Sequence, residues 1–140
     1  MRDRKATLDR LLRVRTLQLN LAQGDEARAH EKVASEVALR SRIAALADAV
    51  APAASESEGF AFVAAAHFRE RLHRSAEAAD ARLEAAERTA GHIAEKTREA
   101  RRDQNAIEKL IARADADAAL KALRALEAAP PVRKIRHDPC

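Results

Sequence analysis

Residues 60–128 read FAFVAAAHFRERLHRSAEAADARLEAAERTAGHIAEKTREARRDQNAIEKLIARADADAALKALRALEA, with no proline and one glycine, Gly91. Alternate steps of four and three from Leu72 land on Ala76, Ala79, Leu83, Ala86, Ala90, Ile93, Thr97, Ala100, Gln104, Ile107, Ile111, Ala114, Ala118, Lys121 and Ala125. Thirteen of these sixteen positions are apolar. A 3.5-residue repeat sustained this long is one narrow apolar stripe on a long helix, the pattern of a coiled coil. At roughly 1.5 Å per residue such a helix would run about 100 Å. It has no core of its own and requires a partner helix.

The rest of the chain supplies one. Apolar residues cluster at both ends of the first fifty positions: Leu8, Leu11, Leu12, Val14, Leu17, Leu19 and Leu21, then Val33, Val37, Leu39, Ile43, Leu46 and Val50. Leu39, Ile43, Leu46 and Val50 are spaced 4-3-4. Between the clusters, Gln23 to Lys32 is polar, and Gly24 weakens helix by about 1 kcal/mol relative to alanine. A weak spot is expected there, not a break. Pro52 disfavours a helical Ala51, and Ser55 with Glu58 fits a capping box for the next helix. Pro130 and Pro131 stop that helix, and VRKIRHDPC has no periodicity.

The expected fold is therefore all-α: a long antiparallel two-helix coiled-coil hairpin over 3–128, with the second helix longer than the first. Its parts are a helix at 3–50, a turn at 51–59 and a helix at 60–128, followed by a disordered basic tail at 129–140. A short connection favours antiparallel neighbours. With the turn centred at residue 55, facing residues add to about 110. Leu46 then meets the region of Ala64, Val33 that of Glu77, and Leu8 that of Arg102. The end of the second helix, with Leu110, Ile111, Leu120, Leu123 and Leu126, is left without a partner.

Composition agrees with long helices rather than a packed globule. Hydrophobic residues make up 47% of the 140, much of it alanine, charged residues 34%, and the aromatics are three phenylalanines. The net charge of +4 is concentrated at the ends. Arg2, Arg4, Lys5, Arg10, Arg13 and Arg15 outweigh Asp3 and Asp9, and Arg133, Lys134 and Arg136 outweigh Asp138. Folding back would set the N-terminal cations near Arg98, Arg101 and Arg102, opposite a mildly acidic turn end with Asp48, Glu56 and Glu58. One cysteine, Cys140, excludes a disulfide framework and fits a reducing compartment. The charged N-terminus lacks the apolar run of a cleavable signal. Nowhere are there 18 consecutive apolar residues, the length a membrane helix needs.

Catalytic chemistry has no foothold in these residues. His30–Glu31 lacks the second histidine of a zinc-protease helix. His67 and His73 fall on opposite sides of a helix, and there is no cysteine pair, glycine-rich phosphate loop or nucleophile elbow. A two-helix hairpin also lacks a concave pocket. The expectation is a protein that is not an enzyme, with no cofactor, no metal and no small-molecule substrate. Phe60, Phe62 and Phe68 either pack at the turn or serve as binding anchors. Because 60 and 62 cannot share a helix face, at least one should be exposed. The basic end reads either as a solvated face or as a phosphate-binding patch. Nucleic acid is the weaker reading, since no aromatic interleaves the arginines as a stacking platform.

Three segments carry a resemblance. LDRLLRVRTLQLNLAQGDEARA (8–29), HFRERLHRSAEAA (67–79) and REARRDQNAIEKLIARADADAALKALRALE (98–127) resemble the FliJ/YscO family of type III export stalk proteins, over most of residues 6–128. The resemblance implies a stalk related in shape to the central stalk of rotary ATP synthases. Its terminal end would sit in a hexameric export ATPase, with Arg2, Arg4, Lys5, Arg10, Arg13, Leu120, Leu123 and Leu126 at that end. Its side would reach the cytoplasmic domain of the export gate and, in some members, export chaperones. Phe68 and Leu72 match the family's gate-binding aromatic–leucine pair, and Ser75 its small residue. Ala79 stands where related members can have histidine. The implied location is cytoplasmic, peripheral to the inner membrane at the flagellar base. A self-associating coiled-coil scaffold is the alternative.

Overall fold

The computed structural model describes residues 2–50 and 59–131, without the side chains of Arg2, Phe60 and Ala61. Two helices account for nearly all of it: α1, Arg2–Ala49, and the longer α2, Gly59–Glu127. They form an all-α helical hairpin, as the stripe requires. The Ser55–Glu58 capping box, most of the expected turn and the tail from Val132 onward lie outside the described residues. α1 runs through Gly24 without a break. Its last turn closes with Val50 N donating to Leu46 O at 3.1 Å. α2 closes with Ala128 N on Arg124 O and Ala129 N on Leu126 O, just ahead of Pro130. Asp3 in the first turn of α1 and Arg124 in the last turn of α2 complement the helix dipoles.

Contacts divide the chain into two units, Leu17–Arg102 and the pair Met1–Thr16 with Asp103–Cys140. In the Leu17–Arg102 unit the α2 face turned to α1 is the predicted stripe. Ala79, Leu83, Ala86, Ala90 and Thr97 are buried, and Leu72, Ala76, Ile93 and Ala100 half-buried. α1 answers with Leu19, Ala29 and Glu36 buried, and Ala22, Glu26, Val33, Leu39 and Ile43 half-buried. In the terminal unit Leu8, Leu12, Arg15 and Thr16 of α1 and Gln104, Ile107, Ile111 and Ala114 of α2 are half-buried.

The register differs from the one expected. In the Leu17–Arg102 unit, Arg40 pairs with Asp80 at 2.7 Å, Arg82 with Glu36 at 3.3 Å, and Thr97 Oγ1 donates to Ala22 O at 3.3 Å. In the terminal unit, Arg15 bonds Asp103 at 3.0 Å, Gln104 Nε2 donates to Thr16 Oγ1 at 3.2 Å, and Lys5 bonds Asp115 at 2.9 Å. Facing residues therefore add to about 119 rather than 110. Leu8 meets the region of Ile111, not Arg102, and Val33 that of Ala86, not Glu77. A repeat of seven matches itself after any slide by seven, so the apolar stripe alone does not select the register. The polar pairs show which register is adopted.

This register changes which residues lack an α1 partner. In the terminal unit Arg2 faces about residue 117, so Ile107, Ile111 and Ala114 are covered and only α2 from Ala118 onward runs past α1. In the Leu17–Arg102 unit Val50 faces about residue 69, so the first ten residues of α2 likewise face no residue of α1. The excess length of α2 is divided between its two ends, not gathered at one.

Candidate functional site

Three places carry side chains that the hairpin's own packing does not explain. The first is within the seam of the Leu17–Arg102 unit. Glu36 is 5% exposed, at a position where the repeat calls for an apolar residue. Lys32, one turn earlier, bonds its Oε1 at 2.9 Å. Its Oε2 lies 3.3 Å from Arg82 Nε on α2 but outside hydrogen-bond geometry. The hydrogen bond from Lys32, and then the charges of Lys32 and Arg82, hold the carboxyl below its usual range against the opposing effect of burial. These groups border a shallow open groove with Ala29, Ala85, Ala86 and Thr89. Nothing there resembles a nucleophile and base. Among the described residues no three His, Cys, Asp or Glu side chains gather to hold a metal ion.

The second place is the start of α2. Phe62 is 60% exposed, Val63 65% and Phe68 45%. Exposure of one phenylalanine follows from the 60–62 spacing; Phe60's side chain is outside the described residues. Phe68 lies one residue off the stripe, which continues back from Leu72 through the half-buried Arg69 and Ala65. Of the residues matched to the family's gate-binding stretch, Phe68 and Ser75 are exposed and Leu72 is half-buried. Ala79 is 0% exposed, sealed in the seam. A partner on this face meets Phe68 and Ser75, and reaches Ala79 only if the helices part.

The third is the far end of α2 with the start of α1. Arg4, Lys5, Arg10 and Arg13 are exposed on α1, and Arg2's side chain is not described. Arg98, Arg101 and Arg102, expected near these cations, belong to the Leu17–Arg102 unit. The register of the terminal unit sets residues 2–13 opposite 106–117, where Asp115 takes Lys5. That hydrogen bond first, and the charge of Asp115 second, raise the Lys5 ammonium above its usual value. In the Leu17–Arg102 unit Arg98 and Arg102 both bond Glu95, at 2.7 and 3.0 Å. Leu120, Leu123 and Leu126 are 46, 53 and 73% exposed. Beyond the expected residues, Leu11, Val14, Leu17 and Leu21 are also exposed on α1. The sequence groups them with Leu8, Leu12 and Leu19, and only a 3.5-residue phase separates the two sets.

No helix among the described residues is long and apolar enough to cross a membrane. Comparison with family models, curated proteins and solved structures returned no match.

Proposed function

We propose that the chain is a non-enzymatic stalk component of the flagellar type III protein export apparatus. In this reading it binds the hexameric export ATPase through the terminal end of the hairpin and the cytoplasmic domain of the export gate through the side near Phe68. It works in the cytoplasm, at the inner-membrane base of the flagellum, and export chaperones are further partners of the same surface. The observation that carries this reading is the exposure of Leu120, Leu123 and Leu126 on the part of α2 that outruns α1. Three leucines on a helix with no covering element are costly to leave in water, each worth roughly 1.5–3 kcal/mol when fully buried. A ring that closes around the helix end would bury them, and the neighbouring cations Arg4, Lys121 and Arg124 suit an acidic lining. The resemblance of the three segments to the export-stalk family names the ring.

The test is deletion of the chain in its own cell. Flagellar protein export and swimming should fall sharply and return with the wild-type chain. Unimpaired export and swimming in the deletion strain would remove this function.

A further inference from the structure

The end of α2 carries a second stripe. Ala112, Ala116, Ala119, Leu123 and Leu126 follow steps of 4-3-4-3, with Leu120 beside them, and every one is exposed. At 100° per residue this stripe lies roughly 130–150° around α2 from Ile107, Ile111 and Ala114, which face α1. The leucines are therefore exposed for two reasons: α1 has run out, and their face points away from where α1 would be. A further turn of α1 would not cover them.

We infer that the occupant of this face is the same face of a second copy of the chain, packed antiparallel. Steric fit and charge both select this arrangement. Setting Ala116 against Leu126 of the second copy and Ala119 against its Leu123 makes four layers, each with one small and one large side chain. That is how facing helices interdigitate without voids. The two-fold axis then brings Leu120 against Leu120 of the second copy at the edge of the seam. It also sets Arg113 of each copy beside Glu127 of the other. Arg113 and Glu127 make no ion pair within the described residues. A parallel pair instead stacks alanine on alanine at positions 112, 116 and 119, leaving gaps.

The stripe is about four turns long, so the interface is smaller than the roughly 800 Å² per partner of a standard complex. The dimer is weak and forms with rising concentration. This inference goes beyond the export reading and does not depend on it, though pairing would occupy Leu120, Leu123 and Leu126 and so compete with any other partner of that end.

Sedimentation equilibrium of the full chain, from micromolar to near-millimolar concentration, reads the result. The mass should rise from 15.3 kDa toward twice that value, and Leu123→Glu should hold it at the monomer throughout. Arg113→Glu should weaken association about tenfold, since two ion pairs become repulsive at up to about 1 kcal/mol each. Glu127→Arg should do the same. The double variant Arg113→Glu/Glu127→Arg should return to within about twofold of wild type, because antiparallel pairing restores both contacts. A wild-type mass of 15.3 kDa at every concentration would overturn the proposal. A double variant no better than the singles would overturn the antiparallel pairing.

Discussion

Gly24 sits inside α1 with its neighbours in helical conformation, and a methyl group added there would meet only Arg28 Nη1, at 3.8 Å. That is ordinary van der Waals contact. Gly24→Ala should therefore raise stability by about 1 kcal/mol in urea denaturation, because alanine loses less backbone freedom in forming helix. At Glu36 the effect depends on pH. Its folded pKa is depressed, so its stabilising contribution is present above the usual carboxyl value of 4.5 and lost as pH falls through the lower folded value. Glu36→Gln should melt below wild type at pH 7, and the gap should close as the pH drops below about 4.5. A gap unchanged at pH 3 would mean that the carboxylate is not held by Lys32 and Arg82. Lys5 has the opposite sign: its raised pKa gives a contribution present below 10.5 and lost as pH rises through the folded value. Its side chain and that of Asp115 are more than half exposed, so solvent screening keeps the effect small.

At the scale of the helices, the seam is thin. The buried apolar side chains among the described residues are Leu19, Ala29, Ala79, Leu83, Ala86 and Ala90. Leu83→Ala removes one of the two leucines in that set and should cost about 2 kcal/mol, the low end for a buried leucine, because a thin seam collapses easily around the gap. Register has its own check. With Cys140 replaced by serine, cysteines at Ala29 and Ala90 should form an intramolecular disulfide on mild oxidation. Cysteines at Ala29 and Leu83, one heptad off, should not. The sequence shows the stripe on α2 from Leu72 to Ala114 position by position, because the 3.5-residue repeat is a local property. It does not show the register, because a heptad slide leaves apolar residues against apolar residues. What marks the match are pairs forty or more residues apart, such as Arg40–Asp80 and Lys5–Asp115. A turn centred at residue 55 misses these pairings by about nine residues. Glu36 escapes a search for apolar seam residues for a related reason: it is buried because Lys32 and Arg82 flank it.

For the whole molecule, a seam built largely of alanine leaves little reserve. Each alanine buries few Å² at roughly 25 cal/mol per Å². The hairpin alone should be marginal, and a partner that binds only the folded form should raise its melting temperature as the logarithm of one plus its free concentration over its dissociation constant. The surfaces available to such partners were partly legible in the sequence: the phenylalanines from their spacing, the leucines from their break with the earlier stripe. The burial of Ala79 was legible as well, since it is a position of the α2 stripe; only its place in a binding stretch came from the resemblance. The proposed division of labour assigns one end of α2 to the export ATPase and the start of α2 to the gate. The most direct measurement is the affinity of the purified chain for the assembled export ATPase hexamer, taken for wild type, for Leu120→Ser/Leu123→Ser/Leu126→Ser and for Phe68→Ala. Wild type and Phe68→Ala should bind alike, and the triple variant at least about tenfold more weakly, since three partly buried leucines exceed the 1.4 kcal/mol of a tenfold change. A triple variant that binds the hexamer as tightly as wild type would contradict the assignment of the ATPase to that end.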